Sequence, residues 1–525
     1  MRAISVSFNV YVSSRVGAEG MGLLNLTSTV YGFAITLATS GINLAVVRLV
    51  SASLPYDGES RFDSKSEKRV SKIMKNALFY CLFFSFLAGV LLFFGSSFIG
   101  NVALGDERTV SSLRLLAFTL TPISISSALN GYFCAVRRIY KSIIVQFCEQ
   151  GAKIFVVTTL LLLIGPGGIE YACIAVVAGG ALSEGVCVIA SAILYFCDRR
   201  LHRFKGDMGN ENGKNGLAQR GLKIIHRAKE GDAFSTSVSK IALPVAISAY
   251  VRSALTTIEH LAIPWGLKKS GASSALALAS YGTLHGMVFP ILLFPSAVLG
   301  AFSSLLVPEL SSAKEQGDTE RIKSIVSKVF YFSLLFSVGV AGIFICFSYE
   351  IGVNLYGSYE ASRFIKMLAP LIPLMYLDGA VDAMLKGLGE QIYTMRVNIA
   401  DSLLSVLLIV ILLPCMGIEG YVVVIFVMEL FNTTFSIFKL LQITDIKAPV
   451  IKWVIKPLFN VIVATVISRL IFSLGTISSL GSLFGYRSLS IIEICISCVL
   501  YIILSRITGS ISKEEIALAK RVIKG

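Results

Sequence analysis

The sequence predicts an all-α polytopic membrane protein with about 14 transmembrane helices, arranged as two six-helix lobes plus two C-terminal helices. Three observations carry this prediction. Of 525 residues, 55% are hydrophobic and only 15% charged, with a mean hydropathy of +0.76, whereas a soluble domain carries about 25% charged residues. Apolar runs recur from end to end, as in Ala77–Ile99, Ile143–Ile164, Val329–Phe347 and Ile491–Leu504. Roughly 20 such residues cross the ~30 Å hydrocarbon layer of a bilayer. Lys and Arg, finally, are segregated between alternate connections.

That segregation sets the topology. Connections 51–75, 137–141, 197–236, 311–328, 386–396, 439–456 and 506–525 hold 33 of the 47 Lys and Arg. The alternating set (14–20, 100–110, 165–170, 264–276, 349–366, 415–419 and 475–487) holds 7. Cytoplasmic loops carry the positive excess, so the first set and both termini are expected in the cytoplasm, with the chain in the inner membrane. The net charge of +15 is then a topology signal and an attraction to anionic headgroups, not a nucleic-acid footprint. Most of the ten cysteines lie inside apolar runs, and the four histidines are scattered. Both read as helix residues rather than metal ligands or disulfides.

The expected spans are 1–13, 21–49, 76–99, 112–136, 143–164, 170–196, 238–263, 277–307, 327–348, 364–385, 394–414, 419–440, 454–474 and 488–505. The first is short. Met1 to Val12 rises only about 18 Å at 1.5 Å per residue, so it is a stub or the remainder of a longer helix. A signal peptide fits less well, because Ser5, Ser7 and Asn9 interrupt the apolar stretch. Segments 51–75 and 197–236 are polar and rich in Gly, Asn and Lys, and are expected to be mobile loops. Ser512–Lys524 mixes charge and apolar residues at helical spacing, as an amphipathic surface helix does.

An internal repeat sets the lobe boundaries. Gly17-Ala18 is followed fifteen residues later by Gly32, and Gly271-Ala272 by Gly286, an offset of 254. Arg114–Gly131 resembles Arg363–Gly379, with Pro122 and Pro370 each nine residues before the final glycine, an offset of 248. The repeat gives an N-terminal lobe over 1–196, a basic loop over 197–236 and a C-terminal lobe over 237–440. Two added helices follow over 441–505, then a tail over 506–525. Six helices per lobe is an even number, so the halves face the same way, and parallel-repeat transporters place the substrate path between them.

Charges within the spans are the candidate functional groups, since each costs about 2.5–3.5 kcal/mol at the helix centre on insertion scales. Arg252 and Glu259 are seven apart and share a helix face. They either line a cavity, with Arg252 receiving a pyrophosphate oxygen, or form an internal ion pair. Glu149 and Lys153, four apart, either pair with each other or contribute to the same cavity. Asp378, Asp382 and Lys386 form a four-spaced stripe that binds a coupling cation or anchors a helix end. Glu429 and Asn432 have no evident partner in sequence. Arg48 ends its span, where snorkelling to headgroups suffices. Pro290, Pro295, Pro370 and Pro373 lie inside spans as bending points or static kinks. Gly179-Gly180 with Ala175, Ala178 and Ala181 indicates close helix contact.

Two stretches resemble the stage V sporulation protein B family. They are NVYVSSRVGAEGMGLLNLTSTVYGFAITLATSGINLAVVRLV (Asn9–Val50) and EHLAIPWGLKKSGASSALALASYGTLHGMVFPILLFPSAVLGAFSSLLVPELSSA (Glu259–Ala313). The second has the Gly-Ala turn, the Tyr-Gly-x-Leu-x-Gly-Met run, paired prolines and the Val-Pro-Glu ending. That family is similar to the multidrug/oligosaccharidyl-lipid/polysaccharide exporters, which include lipid II and O-antigen flippases. The resemblance implies two six-helix lobes around a central cavity and alternating access. It also matches Arg2 to one arginine of the Arg-rich first helix of lipid II flippases. At a second arginine position this chain has Phe8, followed by Asn9 in place of an acidic residue, so the sporulation branch fits better.

The function implied is a flippase for an undecaprenyl-pyrophosphate-type lipid-linked sugar, in spore-cortex or cell-envelope peptidoglycan or polysaccharide synthesis. A cation-coupled multidrug exporter and a non-transporting scaffold for envelope synthases are the alternatives. The partners are then bilayer lipids, the lipid-linked oligosaccharide and a coupling cation. No phosphate-cradling Gly-rich loop with Lys-Ser/Thr occurs, so neither an enzyme nor a cofactor is expected.

Overall fold

A computed structural model describes residues 1–39, 41–53, 64–208, 234–446, 450–473 and 486–510, and every regular element among them is helical. In order these are α1 (Arg2–Thr39), α2 (Ile42–Ser51), α3 (Ser64–Phe98), α4 (Arg108–Ala117), α5 (Leu120–Ala135), α6 (Ile139–Leu163) and α7 (Ile169–Met208). There follow α8 (Phe234–Lys269), α9 (Ser274–Gly282), α10 (Phe289–Leu292), α11 (Ser296–Glu315), α12 (Thr319–Cys346), α13 (Tyr359–Leu368) and α14 (Ile372–Gly387). The last are α15 (Gln391–Thr444), α16 (Val450–Ser473) and α17 (Tyr486–Ile507).

Eleven helices among the described residues are long and apolar enough to cross a membrane, or up to twelve with α4 and α5, which meet at 45°, taken as one. Predicted spans and observed elements divide the chain differently. α1 holds the first predicted span and most of the second, which continues into α2; the two are separated at Gly17, whose φ of 76° and ψ of 177° leave the helix. α15 likewise holds two, separated at Gly417 (φ 61°, ψ −141°). Conversely α9, a π-helical stretch over Thr283–Val288, α10 and α11 make up one predicted span, interrupted before Ser296. α8 spans the seventh predicted stretch, 238–263, and carries Arg252, Glu259 and His260 in its second half.

The exposed residues are those of a multi-pass membrane protein. Phe79, Phe83, Phe86 and Phe94 recur at helical spacing on α3 and are 59–77% exposed, a face whose solvent is lipid. Helices outrun the apolar windows at two places. α3 begins at Ser64, inside the connection 51–75, and α7 continues to Met208, inside the connection 197–236. Lys, Arg and Glu end hydrophobicity there but remain good helix formers. Residues 54–63 and 209–233, and the tail helix expected over Ser512–Lys524, lie outside the described residues. Cys495 and Cys498 do stand at a Cys-x-x-Cys spacing within α17, and all ten cysteines are free thiols.

The internal repeat is written in the backbone. Left-handed residues come in pairs about 250 apart: Gly17 and Gly271, Gly105 and Gly357, Arg137 and Gly389, Gly168 and Gly417. Two π-helical turns, Ile99–Leu104 and Glu350–Leu355, form another pair. The broken helices α4–α5 and α13–α14 also correspond, at an offset of 252 for Gly105/Gly357 and Arg137/Gly389. The sequence match of Pro122 with Pro370 is therefore slipped by one turn. With about 3.6 residues per turn, a four-residue slip leaves apolar faces aligned and is invisible to sequence pattern.

Contacts group the chain into two compact units, 26–257 and 1–25 with 258–525. In the first, Ile42, Val46, Ile73, Met74, Tyr132 and Phe133 share one core. α6 and α7 meet closely at Gly179, where a Cβ would sit 2.4 Å from a Val157 methyl. A buried charge cluster closes one end. Asp198, with no exposure, accepts hydrogen bonds from Lys141 Nζ at 2.5 Å, from Tyr132 Oη at 3.1 Å and from Arg138. This ties α5, α6 and α7 together around Arg137, which is left-handed without being glycine.

In the second unit, Leu306, Leu310, Phe330, Val381 and Met384 form the core. The start of α1 crosses α9 backbone to backbone. A Cβ on Gly282 would stand 2.1 Å from Ala18 O, and one on Gly22 would stand 2.1 Å from Leu278 O. α16 and α17 dock on α12 and on the π turn that follows it through polar contacts. Arg469 reaches Glu350 at 2.6 Å and Glu493 at 3.6 Å, while Tyr501 Oη donates to Leu335 O at 2.6 Å.

This packing sets the outcome of three substitutions. Asp198→Ala leaves Lys141 buried and unpaired, and thermal unfolding in detergent should show a loss of about 3–5 kcal/mol. Gly282→Val forces side chain against backbone and should abolish the folded peak in size-exclusion chromatography. Gly180→Ala, with nothing within 4 Å of its Cβ, should be neutral or stabilising by about 1 kcal/mol.

Candidate functional site

Polar groups at membrane depth gather in two places, one in each unit. In the unit containing 258–525, α8, α14 and both halves of α15 converge. Ser405 Oγ donates to Glu259 Oε1 at 2.6 Å. Asp401, one turn before Ser405, lies within electrostatic reach of Glu259 and Asp378. Glu429 faces Asp378 and Asp401 and accepts from Thr433 at 3.3 Å. Asn432 donates to Asn398 at 3.3 Å. Four carboxylates from three helices thus share one region, although no three are close enough among the described residues to enclose a metal ion. Asp382 stands apart, 3.5 Å from Lys386 as its four-residue spacing suggested.

In the unit 26–257, a cavity of about 320 Å³ is lined by Glu149, Glu184, Gln146, Asn130, Ser126 and Ser142, with Ile35 and Val145 among its apolar walls. Glu149 and Lys153 make no ion pair within 4 Å. Instead Glu184 of α7 lies within electrostatic reach of both. Two carboxylates and one ammonium group therefore share this site. Glu184 was missed in sequence, where it sits in the middle of the sixth predicted span with no charged neighbour at helical spacing. Its depth alone was the signal, as it was for Asp401.

The remaining candidates are spread out. Arg252 is exposed on α8 and has no ion-pair partner among the described residues. Arg2, at the first turn of α1, is exposed as well. The structure brings Glu259 together with Asp378, and Glu149 with Lys153, and leaves Arg2, Arg252 and Asp382 outside both clusters.

Comparison with known proteins matches this architecture. The polysaccharide biosynthesis protein family matches residues 2–210 and the MatE family residues 269–411. Stage V sporulation protein B of Bacillus subtilis (strain 168) is 26% identical over 415 residues, covering 78% of this chain and 75% of that protein. Among solved structures, the inward closed conformation of the lipid II flippase MurJ superposes with a TM-score of 0.66 at 12% identity, over 97% of this chain and 99% of that one. An inward-facing multidrug resistance MATE family transporter gives 0.62 at 14% identity, over 84% and 93%. At such identities the likeness is one of fold. The chain is thus similar in sequence to the polysaccharide biosynthesis protein family over 2–210, to the MatE family over 269–411 and to stage V sporulation protein B over 78% of its length, and it shares the fold of the flippase and the exporter.

Proposed function

We propose that this chain flips an undecaprenyl-pyrophosphate-type lipid-linked sugar across the cytoplasmic membrane by alternating access. The product would serve spore-cortex or cell-envelope peptidoglycan or polysaccharide synthesis. The lobes 1–196 and 237–440 are the moving bodies in this reading, both termini are cytoplasmic, and the reaction is transport rather than catalysis. The observation that carries it is Arg252, which lies within the predicted span 238–263, is exposed on α8 and has no ion-pair partner among the described residues. A guanidinium at that depth needs water or an anion, and its planar fork fits phosphate oxygens.

Arg252 and Arg2 are then the cationic groups for the headgroup, with Glu259 and the Glu149–Lys153 site as further polar contacts along the path. Asp378 and Asp382 are assigned to the coupling ion. Asp378 has the stronger support, because Glu259, Asp401 and Glu429 concentrate negative charge around it. A second reading, a cation-coupled drug exporter on the same fold, draws on the cavity with Glu149 and Glu184, which suits a cationic amphiphile of modest size.

Headgroup translocation in proteoliposomes, followed with a fluorescent polyprenyl-pyrophosphate sugar, tests the first reading. Arg252→Ala should cut the rate at least about tenfold, equivalent to one lost charge-assisted contact of 1.4 kcal/mol or more. Arg252→Lys should restore part of it. Efflux of an organic cation sensitive to Glu149→Gln and Glu184→Gln, with no sugar-lipid transport by the wild type, would favour the exporter. Asp378→Asn should remove the response of transport to an imposed ion gradient without altering the folded yield.

A further inference from the structure

Two of the four histidines, 25 residues apart in sequence, are brought ring to ring in the unit containing 258–525. The rings of His260 on α8 and His285 in the π-helical stretch Thr283–Val288 lie 4.7 Å apart at 70°. Each ends on a tyrosine: His260 Nδ1 and Tyr281 Oη are 2.9 Å apart, as are His285 Nε2 and Tyr421 Oη. Both tyrosines are buried, and Phe289 stacks beside His285 at 5.1 Å. An aromatic core that only had to fill space would not need four groups that each donate and accept a proton.

The charged and titratable groups around the pair are few. α8 supplies Glu259, the residue before His260, held by Ser405 of α15. α15 supplies Tyr421 and, beyond Ser405, Asp401. α9 supplies Tyr281, next to Ser280, whose hydroxyl donates to Glu360 Oε1 of α13 at 3.0 Å. The other charges of α13, Arg363 and Lys366, are exposed. α1 places Ala18 and Gly22 against α9, and Met21 and Asn25 against Gly286 of the π-helical stretch; Glu19, half-buried on the same segment of α1, is its titratable group. Among the described residues no cation is recorded against the rings, and Glu259, next to His260, is within electrostatic reach of Tyr421.

We propose that the His260–His285 pair, held between Tyr281 and Tyr421, is a single-proton site that couples the transport cycle to proton movement. The proposal rests on the transporter reading above and names its coupling ion. Loading breaks an O–H bond of a hydrated proton and forms one N–H bond on an imidazole lone pair; release reverses both, so no other reactant is consumed. Two positive rings at this separation repel strongly in a low-dielectric interior, so the pair accepts one proton and not two. A protonated ring donates from both nitrogens, which obliges its tyrosine to accept. The change falls on the seam of α8, α9 and α15, and on a widened π turn, a feature frequent at functional sites. That turn stands just before Pro290 and the break at Pro295.

The test uses the full chain carrying His202→Asn and His226→Asn, purified through a histidine-free tag, so that the pair supplies the only imidazole signals. Nitrogen-15 spectra in lipid between pH 4 and 9 should show both rings changing together with uptake of one proton. Rings that stay neutral throughout, or that each take up a proton independently, overturn the proposal. In proteoliposomes carrying a lumenal pH dye, sugar-lipid transport should move protons and change about tenfold per pH unit on one limb. His285→Gln should flatten that limb and abolish proton movement. An unchanged pH profile in the variant overturns the proposal. A wild type that transports no sugar-lipid at any pH removes the flippase reading, while the spectra still decide the proton site.

Discussion

A polar group at membrane depth must find its partner in the protein, in water or in a bound substrate, because hydrocarbon offers none. The backbone meets that demand by being helical throughout the described residues. Where it leaves the helix, the exceptions are few and placed. Gly17 and Gly417 turn the chain between spans, and π turns or proline breaks interrupt α4–α5, α9–α11 and α13–α14. Side chains obey the same rule. Arg469 is held by two glutamates, Asp198 by three donors, and Tyr501 by a main-chain carbonyl.

Burial of apolar surface cannot hold such helices together, since lipid is as apolar as their side chains. Close approach and internal polar bonds replace it. The crossing of α1 and α9 works because Gly22 and Gly282 leave room for carbonyl oxygens where a methyl would stand. Gly179 does the same for α6 against α7. The polar bonds are costly to break and thereby specific. The Asp198 cluster fixes three helices at once, and the Arg469 group fixes the two added helices on α12. Both tie their elements in place.

The two halves share a backbone plan but not a charge plan. Left-handed residues and π turns recur about 250 residues apart. The carboxylates do not: one unit places Glu149 and Glu184 around a cavity with Lys153, the other gathers Glu259, Asp378, Asp401 and Glu429 beside a histidine pair.

The sequence by itself determined the membrane class, the approximate spans and the existence of a repeat. These follow from local quantities: apolar run length, charge sign and spacing along one helix. Tertiary structure decided what those quantities cannot express. Lys153 was expected beside Glu149 from its four-residue spacing, yet it is Glu184, from a different helix, that comes within reach of both. Asp401 and Glu429 had no partners in sequence because their neighbours come from α14 and from the far half of α15. His260 and His285 read as scattered until α8 and the π turn brought them to 4.7 Å. The repeat register slipped by a turn for a related reason, since helical periodicity conserves the face and loses the height. Distance across a bundle is set by how helices cross, and no spacing along a single helix contains it.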